Sequence, residues 1–136
     1  MYVKVVDKIL DAQDIVEKAK TDDSGCVAAY VGLIRDNSHG KSVISVEYRD
    51  DDRTAESKLR KLAEEIKQKF GVNGLAMYHR IGKLNVGDVN IVFAFACGHR
   101  QEAFGACSYA VDKFKEMLPT SKIETYADGS VNTEWD

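Results

Sequence analysis

The sequence predicts an α+β fold, a mixed or antiparallel sheet with helices packed on it. Residues 54–70 carry an unbroken helical rhythm of apolar positions. Residues 89–97, VNIVFAFAC, are apolar at nearly every position, as in a central strand covered on both faces. The elements read along the chain run β-α-β-β-α-β-β-α-β-β. That order does not alternate strictly, which argues against a doubly wound parallel sheet.

Taken in turn, residues 2–6, YVKVV, alternate and are β-rich, a short strand. Asp11 is placed to N-cap a helix reaching about residue 20, with Ile15, Val16 and Ala19 on one face. The apolar run 25–35, GCVAAYVGLIR, reads as a buried strand. DNSHGK, 36–41, is a polar turn, and 42–49 alternates as a half-buried strand. In the helix over 54–70, Ala55, Leu59, Leu62, Ala63, Ile66 and Phe70 share a face, and Gly71 ends it. A strand over 74–79 leads into the turn-rich RIGKLNVGD, then the central strand, then a helix from about His99 to Met117. Pro119 stops that helix, because the residue before a proline avoids the helical region. Two short strands around the 127–130 turn complete the chain.

A length of 136 residues fits a single domain over 1–136, long enough to bury roughly two-thirds of its unfolded surface. A net charge of -3 weighs against a general nucleic-acid binder. No run approaches the roughly 18 apolar residues of a membrane span, and the N-terminus shows no export signal, so the expected location is cytoplasmic. The sequence ends one residue past Trp135, so no longer C-terminal tail is expected. Three cysteines without a CxxC spacing fit reduced thiols better than a disulfide framework or a zinc site. No HExxH, GxxxxGK[ST] or GxGxxG pattern is present, so no metal or nucleotide cofactor is expected.

Five basic residues stand out. His99 and Arg100 sit where the central strand becomes a helix, and the free N–H groups of a helix start attract anions. The plain alternative is a Gly98 turn followed by polar first-turn residues. Arg35 closes an apolar strand and meets a polar loop, where ligand-facing side chains are common; alone it reads as a solvated strand end. Lys115 lies on the helical wheel about 80° from Cys107, at the border of the stripe Cys107, Val111, Phe114, Leu118. Lys122 opens the strand after Pro119, so a chain reversal could bring the two amines to one site. Two solvated lysines near a helix C-terminus are the alternative. Cys97 adjoins His99 but keeps the parity of Ile91, Phe93 and Phe95, which places it in the core rather than at an activated helix start. Cys26 and Cys107 also fall in apolar patterns. His39 is expected in an exposed loop, and His79 is expected to be a satisfied strand-end histidine.

Several stretches together match one pattern in order: AAYVGLIRDNSHGKSVISVEY, HRIGKLNVGD, GHRQEAFGACSYAVDKFKEMLP and the downstream lysine. The chain thereby resembles the large, catalytic subunits of molybdopterin synthase, over residues 25 to about 135. The resemblance implies an α/β hammerhead-like domain with three main helices and a small additional antiparallel sheet. It implies a homodimer that binds a small ubiquitin-like sulfur-carrier subunit at each end, a heterotetramer. It also implies transfer of two sulfurs from that partner's C-terminal thiocarboxylate to cyclic pyranopterin monophosphate, giving the molybdopterin dithiolene. No resident cofactor is implied: the partner supplies sulfur and the pterin is substrate. Lys122 and Lys115 fall on catalytic positions, and Arg35, His99 and Arg100 on substrate-binding ones. Arg100 and Lys115 are about 22 Å apart along one helix, so a site shared across the dimer is expected.

The chain departs from that pattern at Thr120, Ser121 and Ile123, where an aromatic or aliphatic residue, a tryptophan and a second basic residue are expected. RDDDR, 49–53, is also more acidic than expected. A non-catalytic oligomeric module that binds a small anionic metabolite, or a ubiquitin-like tail, is the alternative reading.

Overall fold

The structure, a computed structural model, describes residues 1–134; Trp135 lies outside the described residues. The elements are β1 (Tyr2–Val6), α1 (Ala12–Ala19), β2 (Cys26–Leu33), β3 (Asn37–Ser38), β4 (Lys41–Arg49), α2 (Ala55–Phe70), β5 (Gly74–Arg80), β6 (Gly82–Asn85), β7 (Val89–Cys97), α3 (Arg100–Met117), β8 (Ser121–Tyr126) and β9 (Val131–Glu134). They form two sheets. The first has the order β1-β5-β7-β2, with β1 parallel to β5 and the other pairs antiparallel. The second, wholly antiparallel, has the order β3-β4-β8-β9, with β6 also on β4. The α+β class and the three helices are as expected.

The parity of β7 explains the layering. Ile91, Phe93, Phe95 and Cys97 face α2 and α3, where they meet Leu59, Ile66, Ala106 and Phe114. Val92 and Ala94 face the other way, against Ile15 and Ala19 of α1. Both faces of the strand are therefore dry. Phe93 and Phe95 are fully buried, and each contributes roughly 1.5–3 kcal/mol by leaving water. Ile34, Val43, Val46, Tyr48, Leu84 and Tyr126 make a separate small core on the second sheet.

Local chemistry sets the element ends. The Asp11 side chain accepts from the Asp14 N–H and caps α1. The acidic run caps α2: Asp50 accepts from the Ala55 N–H at 3.1 Å, and Asp52 from the Thr54 N–H at 3.1 Å. Gly71 closes α2 in the left-handed conformation, φ 61°. Leu118 closes α3, also left-handed at φ 46° and ψ 68°. Pro119 denies it the right-handed region, and for a leucine the alternative costs about 1–2 kcal/mol.

Three expectations are corrected. The apolar run of β2 is not a buried strand but the edge of the first sheet. The short helix α1 covers Val27 and leaves Val31 42% and Leu33 59% exposed. Within DNSHGK, β3 pairs with β4 across a two-residue turn, His39 φ 52° and Gly40 φ 73°, the mirror-image turn of tight hairpins. RIGKLNVGD contains a strand, β6, because Leu84 pairs with Val46 and is fully buried in the second core.

Candidate functional site

The two sheets and the C-terminal end of α3 enclose an open cleft of about 640 Å³, within the range of small-molecule sites. The end of β2 contributes Tyr30 and Gly32 and the segment just beyond it Arg35; β4 contributes Tyr48; β7 contributes Asn90. The last turn of α3 and the Pro119 turn contribute Phe114, Lys115, Leu118 and Thr120, while β8 and β9 contribute Lys122 and Glu134. Three of the five basic residues singled out in the sequence, Arg35, Lys115 and Lys122, therefore meet in one cleft. Among the described residues they face one carboxylate there, Glu134, so that lining is cationic although the whole chain carries -3.

Local folding explains the convergence. Arg35 lies just beyond β2, where the chain leaves the first sheet for the second. Lys115 is in the last turn of α3, where a cation complements the helix dipole. The Pro119 turn reverses the chain into β8, and Lys122 lies opposite Tyr48 of β4. Glu124, two residues on and therefore on the same strand face, lies 3.9 Å from the Lys122 amine. Glu124 is almost fully buried and accepts from Ser38 Oγ at 2.9 Å and Tyr126 OH at 3.0 Å. The imidazole of His39, exposed as expected, is 3.7 Å from Glu124 and 3.9 Å from Glu134.

His99 and Arg100 do not line this cleft. They are exposed at the start of α3, with His99 as N-cap and no side-chain cap hydrogen bond. Fifteen residues of helix, about 22 Å, separate Arg100 from Lys115. Cys97 is 1% exposed and burial pushes its thiol up, against a thiolate nucleophile. Burial pushes Cys107 up as well. Cys26 and Cys107 are only half-buried, packed on the margin of the core rather than within it.

The cleft also contains residues that sequence reasoning did not single out. Asn90 Nδ2 donates to Tyr48 OH at 3.0 Å, and the buried Asn90 Oδ1 has no partner among the described residues. Burial pushes the Tyr48 phenol up to about 12, so it stays protonated. Beneath them, His79 is fully buried and doubly hydrogen-bonded, a satisfied histidine as expected. Glu124 had a sequence signal in its same-face spacing from Lys122. Tyr48 and Asn90 lie on distant strands and had none.

Fold and cleft define a class: a two-sheet α+β protein whose cationic cleft opens between the sheets and the end of one long helix. Known proteins place it further. The family model described as MoaE protein matches residues 5–117. A molybdopterin synthase catalytic subunit from Nostoc sp. is 36% identical over 89% of this chain and 74% of its own length. One from Thermoplasma volcanium is 29% identical over 98% of this chain and 96% of its own. The crystal structure of molybdopterin synthase from Staphylococcus aureus superposes with a TM-score of 0.90 at 26% identity, covering 98% of this chain and 97% of that one. The chain belongs to the MoaE family, and its function is that of the catalytic subunit of molybdopterin synthase, an enzyme of molybdenum cofactor biosynthesis.

Proposed function

We propose that this cleft is where sulfur passes from the C-terminal thiocarboxylate of a small ubiquitin-like partner to cyclic pyranopterin monophosphate, which makes the chain a sulfurtransferase. The observation that carries the reading is the meeting of Arg35, Lys115 and Lys122 in one cleft of a MoaE-family chain. Thiocarboxylate, phosphate and the released carboxylate are all anions, and guanidinium and ammonium groups are their complement. The thiocarboxylate sulfur bonds to a pterin side-chain carbon as a carbon–oxygen bond at that carbon breaks. At one of the two carbons the oxygen displaced is that of the cyclic phosphate, which opens and stays attached at its other oxygen; at the other carbon it leaves as water. Water then adds to the tail's acyl carbon, the acyl carbon–sulfur bond breaks, and the tail leaves as a carboxylate. Lys122 and Lys115 stabilise the oxyanion that forms at that acyl carbon, and Arg35 holds substrate charge. A second loaded tail supplies the second sulfur. No resident cofactor takes part.

The open edge of β2 beside the cleft suits an extended tail, since among the described residues it pairs only with β7 and exposes Val31 and Leu33. His99 and Arg100 act from the second subunit of a homodimer, in a composite site with Arg35, Lys115 and Lys122 of the first. The reading is tested by mixing the protein with a thiocarboxylate-ended partner and cyclic pyranopterin monophosphate and detecting dithiolene by mass. Product from the parent and a loss of at least about 100-fold in Lys122→Ala are expected. No product with partner binding intact would leave an interaction module instead.

A further inference from the structure

One buried titratable group has no role in the chemistry above. The ring of His79 makes two hydrogen bonds and two edge-on aromatic contacts, and every residue it meets this way lines the cleft, although His79 itself does not. Nδ1 is 3.0 Å from the Asn90 carbonyl oxygen. A carbonyl only accepts, so Nδ1 carries the proton, and Nε2 accepts from the Thr120 hydroxyl at 3.0 Å. Tyr48 and Phe114 stand at ring-centroid distances of 5.0 and 5.1 Å.

These partners border the two lysines. Phe114 precedes Lys115 on α3, and Tyr48 is the cross-strand partner of Lys122. Between the lysines runs the turn Leu118-Pro119-Thr120. It starts from a left-handed leucine, includes a residue without an N–H, and among the described residues is tied by the backbone bond of Leu118 N–H to the Phe114 carbonyl at 3.0 Å. Such a turn holds its shape only if something outside it does the holding. We infer that His79 is a positioning residue for the cleft: through Thr120 it clasps the Pro119 turn, and through Phe114 and Tyr48 it fixes the spacing of Lys115 and Lys122. The inference rests on the sulfur-transfer reading for its catalytic consequence, but the clasp itself is independent of it.

The test compares Thr120→Val, Thr120→Ser, His79→Phe and the double variant His79→Phe/Thr120→Val with the parent, each as the full chain with loaded partner. Thr120→Val keeps shape and loses the hydroxyl; it is expected to lower kcat about tenfold with KM within about twofold, and Thr120→Ser to restore it. His79→Phe has no atom in the cleft yet is expected to lower kcat similarly, and the double variant to be no worse than the poorer single one. Hydrogen exchange at the Leu118 amide, which the Phe114 carbonyl protects, is expected to rise at least about tenfold in Thr120→Val. If His79→Phe does not fold, the Thr120 pair still decides. Parent-like kcat and parent-like exchange in Thr120→Val overturn the inference, as do additive losses in the double variant. A parent that transfers no sulfur removes the functional reading alone, and exchange at the turn then decides the clasp.

Discussion

Acid should weaken this fold through one residue to a degree that can be worked out. Burial lowers the pKa of His79 from 6.5 to about 4; the backbone hydrogen bond to Asn90 opposes that shift and is outweighed. Among the described residues the ring's hydrogen-bond partners are the uncharged Asn90 carbonyl and Thr120 hydroxyl, and Tyr48, edge-on to it, stays protonated with its pKa pushed up to about 12. The folded pKa lies below the unfolded one, so the unfolded chain takes up the proton first. The stability tied to a neutral His79 is complete above about pH 6.5 and is lost as pH falls towards 4. At about 1.4 kcal/mol per unit, and with the folded group half-protonated at pH 4, the part of the 6.5-to-4 drop lost by that pH is about 3 kcal/mol. With a urea m-value near 2 kcal/mol per molar, the midpoint moves by about 1.5 M. Carboxylates titrate in the same range, so the measurement is a difference: urea unfolding of the parent and of His79→Phe at pH 7.5 and pH 4. The variant is expected to be the less stable at pH 7.5, because it leaves the Asn90 carbonyl and the Thr120 hydroxyl without their partner. The gap should shrink by about 3 kcal/mol at pH 4. A gap that stays constant within about 0.5 kcal/mol between the two pH values would refute the reasoning.

Other outcomes follow from the same geometry. Phe93→Ala removes a fully buried ring stacked edge-on to Phe114 at 5.4 Å and should cost about 3–5 kcal/mol by chemical denaturation. Cys97→Ala should keep sulfur transfer within about twofold, because a buried thiol with a raised pKa is not the nucleophile; loss of transfer with the fold intact would reverse that assignment. Arg100→Ala and Lys122→Ala, each inactive alone, should regain about one quarter of parent activity when unfolded and refolded together. Random pairing in a composite-site dimer gives half mixed pairs, each with one intact site. No recovery, with mixed dimers shown to form, would place all five basic residues in one protomer's site.

Much of this fold was legible because local signals and tertiary context agree. The helix over 54–70 has its apolar stripe, and β7 has the unbroken apolar run that two covered faces demand. What was missed depended on partners far away in sequence. GKLN carries little strand propensity, and β6 forms because Leu84 completes the core around Val46 and Tyr126. The run CVAAYVGL looks like a central strand, but no strand in the described chain pairs with its outer edge. The basic residues could be named from the sequence, whereas their meeting could not: it depends on the reversal at Pro119 and the Tyr48–Lys122 register. Two departures from the family pattern gain physical accounts. The acidic run 50–52 supplies carboxylates to the start of α2, and the hydroxyl of Thr120, where a hydrophobic side chain was expected, occupies Nε2 of His79.

The placement of charge along α3 bears on why two subunits would be needed at all. An α-helix favours anions at its start and cations at its end. This helix has His99 and Arg100 beside its free N–H groups and Lys115 in its last turn, so each end suits one step in handling an anionic substrate. A rigid helix of eighteen residues cannot fold back to bring its own ends together. Shortening it would bring Arg100 closer but would strip Ala103, Ala106 and Ala110 from the core they share with Phe93 and Phe95. In the proposed homodimer a two-fold axis would solve the problem at no cost to that core: an isologous contact that runs the two α3 helices antiparallel would set the start of one near the end of its mate and make two equivalent sites at once. On that geometry, a variant that stays folded but cannot dimerise should keep its Arg35–Lys115–Lys122 cleft and lose turnover in the same proportion as Arg100→Ala.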